Sequence, residues 1–281
     1  MRPLFFLSLL APAFVLASEE GVNPKATDLF EIGGIPVSNT ILTTWILTAL
    51  IIIAIRVLVG TPKIVPRKGQ ALVENVASGL RDALEPIVGK KMIGKTFPVL
   101  CGFFVFILLM NWSGLLPGVG TIKYGDTGHW LDAIRPATSD LNTTLALSAI
   151  SFVAWTYFVL RYAGFKVLIF DLFGNKADKK ELSFPMWIML SFIFLGVGGI
   201  EVVSIAFRLI SLSFRLYGNV YGGENLIHAL GGIAPYVIPA VAGLLEVLVG
   251  LIQAFVFTLL SAVYIGLICN HEGGHDEEHA H

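Results

Sequence analysis

Apolar residues run in long blocks along this chain, and short charged stretches separate them. Residues 38–59 contain a single charge, Arg56, close to the end of the block. Residues 97–116 and 141–160 form two further blocks. Residues 184–268 then carry only five charged side chains: Glu201, Arg208, Arg215, Glu224 and Glu246. A helix crosses the ~30 Å hydrocarbon core with about 20 apolar residues. The first three blocks therefore predict three membrane-crossing helices. The last block is too long for one upright crossing and too apolar for water.

A shorter apolar stretch, residues 4–16, follows a lone Arg2 and ends at the small residue Ala17. At 1.5 Å per residue it spans only about 20 Å, so it reads as a secretory signal peptide over residues 1–17. Within residues 60–96, Leu72, Val76, Leu80, Ala83, Leu84 and Ile87 recur at helical spacing, with Glu74, Arg81 and Glu85 elsewhere on the wheel. That pattern predicts an amphipathic helix on the membrane surface, with a break or kink at Pro86.

Composition agrees with the pattern: hydrophobic residues are 55%, charged residues 14%, and the mean hydropathy is +0.78. A soluble domain is closer to a quarter charged. The net charge of −1 gives no basic field for nucleic acid. Cys101 and Cys269 lie in apolar runs without partners at metal-ligand spacing. Lys and Arg set the orientation. Residues 56–95 and 161–180 carry thirteen of them, and the alternate segments carry only Lys25, Lys123 and Arg135. The mature N-terminus is thus expected outside, with residues 60–96 and 161–183 inside and 117–140 outside.

Residues 89–96 read Gly-Lys-Lys-Met-Ile-Gly-Lys-Thr and match a phosphate-binding loop. That loop works only between a buried strand and a helix. Here a surface helix and a membrane span flank it, so it reads as a basic stretch that sets topology. The tail, residues 269–281, has four of the six histidines beside Asp276, Glu277 and Glu278, and reads as solvated.

The charges inside the last block carry the chemistry. An arginine at the bilayer centre costs about 2.5–3.5 kcal/mol even on the lenient insertion scale. Glu201, Arg208 and Arg215 are seven apart and share one helix face. Asn219 extends this stripe by one turn. Glu224 lies nine residues past Arg215, on the opposite side, with His228 one turn further. Glu246 and Gln253 share a face of the next helix. Spacing lets Glu201 and Arg208 pair. The separated acids suit a proton relay, since a carboxyl taken out of water holds its proton more tightly. Arginine stays charged and suits a fixed electrostatic barrier. A secondary transporter would also place charges in the membrane, though it usually shows two similar halves. A free-standing ATPase would need residues 89–96 to work as a loop.

Ser-Leu-Ser-Phe-Arg215-Leu-Tyr-Gly218-Asn219-Val-Tyr-Gly-Gly-Glu224-Asn-Leu closely resembles the signature of subunit a of F-type ATP synthases. Ile252-Gln253-Ala254-Phe255-Val-Phe257, Asn111-Trp-Ser-Gly-Leu-Leu-Pro117, Pro136-Ala-Thr-Ser-Asp140-Leu-Asn142-Thr-Thr144 and Glu31-Ile-Gly-Gly-Ile-Pro-Val are similar to its other motifs, in matching order over residues 28–270. The resemblance implies an all-α polytopic membrane protein. Five helices would cross, the last two (184–231 and 236–268) long and strongly tilted.

It also implies a function: a chain without a catalytic site of its own that carries protons, or Na⁺, past a rotating c-ring. Arg215 would face the ring carboxylate and keep two half-channels apart, with Asn219 and Gln253 as polar neighbours. Glu224 and Glu246 would line the outer half-channel and Glu201 the inner one. Arg208 and Ser211 would support, and Asp140, Asn142 and Thr143 would border the outer entrance. The c-ring and the peripheral stalk subunit b are the implied partners, and no cofactor or bound nucleotide is implied. Many members pair an acid with a histidine at the two relay positions. Here both are glutamate, which cannot comfortably ionise together at close range, and His228 is a candidate partner for Glu224. A bacterial inner membrane is the expected location, with the thylakoid as the alternative.

Overall fold

The computed structural model describes residues 26, 28–116, 123–124, 131–132, 135–165, 168–169, 184–231 and 237–269. The expected signal peptide, most of the 117–134 loop, residues 170–183, the turn at 232–236 and the tail from residue 270 lie outside the described residues.

The first element among the described residues is a hairpin that periodicity did not predict. Strand β1 (Asp28–Ile32) pairs antiparallel with β2 (Ile35–Ser38), with Ile32 opposite Ile35. Gly33 and Gly34 form the turn with φ of 61° and 84°. A two-residue hairpin loop needs such positive φ at both positions, which glycine adopts without steric cost.

Five helices are long and apolar enough to cross a membrane. Helix α1 (Asn39–Val59) starts where the Ser38 side chain caps the Ile41 amide, and ends at Gly60. The amphipathic helix α2 (Lys68–Val88) follows. It buries Leu80, Leu84 and Val88 and leaves Leu72 and Val76 exposed. Pro86 does not break it at once. The helix runs two residues further and stops at Gly89, whose φ of 89° turns the chain.

Helix α3 (Lys90–Ser113) begins directly after that turn, seven residues earlier than its apolar run. The Gly89 carbonyl accepts from the amides of Met92 and Ile93, which starts the helix inside the basic stretch. Residues 90–96 are thus helical. Thr96 is fully buried and its hydroxyl donates to the Met92 carbonyl at 3.1 Å.

Two short strands, β3 (Lys123–Tyr124) and β4 (Leu131–Asp132), pair antiparallel. A buried 3₁₀ turn, Ala137–Ser139, leads into α4 (Leu141–Phe158). A π-turn, Val159–Ala163, extends α4 past the end of its apolar block. Helix α5 (Phe184–Gly231) is continuous for 48 residues, through Gly196, Gly198 and Gly199. Helix α6 (Val237–Cys269) completes the fold.

The core is built by α2 and α3 against α6, with α5 closing one side. Leu84, Val88, Ile93, Leu100 and Ile107 meet Leu216, Phe257, Ala262 and Ile265. The Phe103 and Phe257 rings meet edge to face at 5.6 Å. Lipid tails are as apolar as leucine, so polar bonds and close packing must hold membrane helices together. Three side chains reach carbonyls of α6: Asn111 to Gly250 at 3.3 Å, Trp112 to Val247 at 3.0 Å and Trp155 to Tyr264 at 3.0 Å. Serine pairs stitch the other seams, Ser148 with Ser213 at 2.7 Å and Ser151 with Ser261 at 2.9 Å. Only 6% of the most apolar window of α1, and likewise of α5, is buried within the chain. Those two helices turn most of their apolar surface outward.

Candidate functional site

The intramembrane charges fall into two groups along α5. At 1.5 Å per residue, Glu201 and Glu224 are separated by about 35 Å along the axis, with Arg215 between them.

In the first group, Nη2 of Arg208 lies 3.5 Å from Oε1 of Glu201. The Arg208 guanidinium also covers the Tyr264 ring of α6, 4.0 Å from its centroid. Helical spacing permitted this pair, and it forms. Arg208 and Arg215 together border a surface cleft of about 370 Å³, with Ser204, Ser211 and Tyr264 among its other walls.

Arg215 itself is exposed on the chain's outward surface. The opposite face of the same turns is buried, through Leu212, Ser213, Leu216 and Val220. Among the described residues, no carboxylate pairs with Arg215. One turn on, Asn219 donates to Oε1 of Gln253 at 2.8 Å, and Gln253 is only 4% exposed. This bond joins the polar stripe of α5 to that of α6.

The second group brings together residues far apart in sequence. Nη2 of Arg135 lies 3.5 Å from Oε2 of Glu224, and their side chains are 9% and 17% exposed. Glu246 of α6 reaches the same place. Its Oε1 lies against Gly223, where an added Cβ would fall 2.8 Å away. The missing side chain at Gly223, next to Glu224 in the chain, is what leaves room for the Glu246 carboxyl. Tyr217 feels the charges of Arg135, Asp140 and Glu224, so the four form one electrostatic cluster. Tyr217 and Tyr221 stack with ring centroids 5.3 Å apart.

Asp140 is 6% exposed and fully engaged. Its Oδ1 accepts from the Asn142 amide at 3.0 Å, capping α4, and its Oδ2 accepts from the Thr40 hydroxyl at 3.1 Å. Asp140, Asn142 and Thr143 border a cavity of about 470 Å³ together with Asp28, Ser38 and Trp45. The His228 side chain lies outside the described residues. Among the described residues, no group of three or more His, Cys, Asp or Glu could hold a metal ion.

Sequence reasoning missed Arg135, which counted only as a basic residue of a loop. One signal was available. Glu224 is a carboxyl in an apolar block whose own helix places its arginines on the opposite face, so a cation from another element was a natural partner to seek.

These elements define an all-α polytopic membrane protein with charged and polar side chains gathered along its last two helices. Residues 41–266 match the family described as ATP synthase A chain, and the chain belongs to that family. Two relatives illustrate the similarity. The chain is 30% identical to ATP synthase subunit a of Moorella thermoacetica over 242 residues, which is 86% of this chain and 95% of the relative. It is also 30% identical to ATP synthase subunit a 2 of a Bradyrhizobium species over 241 residues, or 86% and 93% of the two chains. Family membership makes the chain part of the membrane sector of an ATP synthase.

Proposed function

We propose that the chain is the ion-carrying stator of that sector, passing protons (or Na⁺) to and from a rotating ring of c subunits. One observation carries the reading. Of the two arginines on α5, Arg208 is paired with Glu201, while Arg215 is exposed and has no acidic partner among the described residues. A guanidinium that cannot shed its charge needs a counter-ion within the bilayer. For Arg215 that counter-ion comes from outside the chain, and a rotor carboxylate fits.

In this scheme Arg215 draws the ion off the ring carboxylate and keeps two aqueous half-channels from joining. Glu224 and Glu246 load the ring from the outer half-channel. Glu201, beside Ser204 and Ser211, receives ions on the inner side, and Arg208 holds Glu201 in place. Asn219 and Gln253 orient the polar seam next to Arg215. Asp140 and Asn142 frame the outer mouth, with His228 one turn beyond Glu224.

Helix α5 would be ~72 Å long at 1.5 Å per residue, so it fits a bilayer only if strongly tilted. A tilted pair of helices suits the curved flank of a ring. The outward apolar surface of α1 is available to subunit b. The signal-peptide pattern of residues 1–17 favours a bacterial inner membrane, and the Lys and Arg distribution favours the N-terminus outside and the C-terminus inside. Each charge that crosses releases ~2.3 kcal/mol per 100 mV.

The test is Arg215→Ala in the assembled complex. Coupled ATP synthesis should disappear. Normal ATP-driven proton pumping in membrane vesicles would refute the role of Arg215.

A further inference from the structure

We propose that Arg135 is a positioning residue of the half-channel at the Glu224 end of α5: it holds Glu224 as a stationary anion, and Glu246 is the acid that takes up and releases the transported proton. The inference rests on the reading that these acids line a half-channel, and it divides the work between them.

Two neighbouring carboxyls in a low-dielectric site do not both ionise comfortably. Something must decide which one keeps the charge. Arg135 is that asymmetry. Its guanidinium lies 3.5 Å from Glu224, with both side chains largely withdrawn from water. No cation pairs with Glu246 among the described residues, and its carboxyl rests against the bare backbone of Gly223.

The other charged and titratable groups described around the pair are Asp140, Tyr217 and Tyr221. Asp140 is committed to capping α4 and to Thr40. Tyr217 and Tyr221 stack on the same helix as Glu224, and neither supplies a cation.

Arg135 is also built to stay still. Its backbone amide donates to the Thr43 hydroxyl of α1 at 3.3 Å. Pro136 follows it and limits its backbone to extended conformations. The next turn, Ala137–Ser139, is completely withdrawn from solvent. The backbone that carries this cation is held in place, which favours a fixed anion beside it. Glu246 lies on another helix and has no such tether.

The test uses the full complex in membrane vesicles stripped of the catalytic sector, with passive proton flux driven by a potassium diffusion potential. Assembly of each variant is checked by the amount of the chain retained with the c-ring. Glu224→Gln removes the anion that Arg135 holds, and Glu246→Gln removes the carrier. Each should lower the flux about tenfold or more. Adding Arg135→Gln should restore the Glu224→Gln variant to within about threefold of wild type, because the cation is then removed together with the anion that it faced. It should not restore Glu246→Gln.

Arg135→Lys keeps the charge and should retain much of the flux, which covers the case where Arg135→Gln alone assembles poorly. Rescue of both glutamine variants, or of neither in assembled complexes, would overturn the division of roles. Wild-type flux in both single glutamate variants would instead remove these acids from the path, and so would overturn the half-channel reading beneath it.

Discussion

Replacing Asp140 by Ala and, separately, by Asn distinguishes a capping carboxylate from one that handles protons. Alanine removes two contacts. Loss of the cap on α4 costs about 1 kcal/mol, within a range of about 0.5–2. Loss of the bond from Thr40 to a charged acceptor costs about 1.5–3 kcal/mol. The Thr40 hydroxyl keeps a second neighbour, the Ser38 hydroxyl at 2.9 Å, which favours the lower end of that range. Asp140→Ala should therefore destabilise the junction of α1 and α4 by about 2–3 kcal/mol.

Asparagine caps as well as aspartate, and its amide can donate to the Thr40 oxygen with the bond reversed. Asp140→Asn should cost less than about 1 kcal/mol. The assay is the fraction of complex that stays assembled on a native gel as temperature rises, with passive proton flux measured in parallel. Asp140→Ala should lose assembly at lower temperature, and Asp140→Asn should match wild type in both readouts. If Asp140→Asn assembles normally but loses flux as Asp140→Ala does, the negative charge matters and the capping account is wrong.

Three further outcomes are expected. Gly266→Ala would push a Cβ into the backbone carbonyl of Ile87, which cannot swing aside as a side chain would. It should cost about 1–3 kcal/mol and loosen α2 from α6, and unchanged resistance of residues 64–88 to protease would contradict this. Gly223→Ala meets only the flexible tip of Glu246, so the complex should assemble while flux falls severalfold, and wild-type flux would place Glu246 elsewhere. Lys95→Ala removes a cation held 4.1 Å above the Tyr162 ring, worth about 0.5–1 kcal/mol. ATP synthesis should stay near wild type, and a large loss would reopen a phosphate role for residues 89–96.

The apolar blocks alone determined the membrane class and the first three crossing helices, while the division of residues 184–268 came from the family resemblance. Burial in lipid forces backbone bonds to close within each segment, so a long apolar run has few alternatives to helix. The seven-residue spacing of Glu201, Arg208 and Arg215 was equally readable, because helical geometry converts spacing directly into a shared face. That geometry permits the Glu201–Arg208 pair within one helix, and the Tyr264 ring of α6 packs on its guanidinium.

The tertiary structure decided what spacing cannot express. Arg135 and Glu224 are 89 positions apart, and only the docking of the Ala137–Ser139 turn beside α5 brings them together. Glu246 reaches the Glu224 end of α5 because Gly223 leaves room, which depends on how α5 and α6 pack and not on either helix alone. The contacts of Asp140 were hidden for the same reason: its second oxygen faces Thr40, one hundred residues earlier. A periodic pattern reports which way a side chain leaves its own helix. Which charge waits on the other side is settled only when the helices pack.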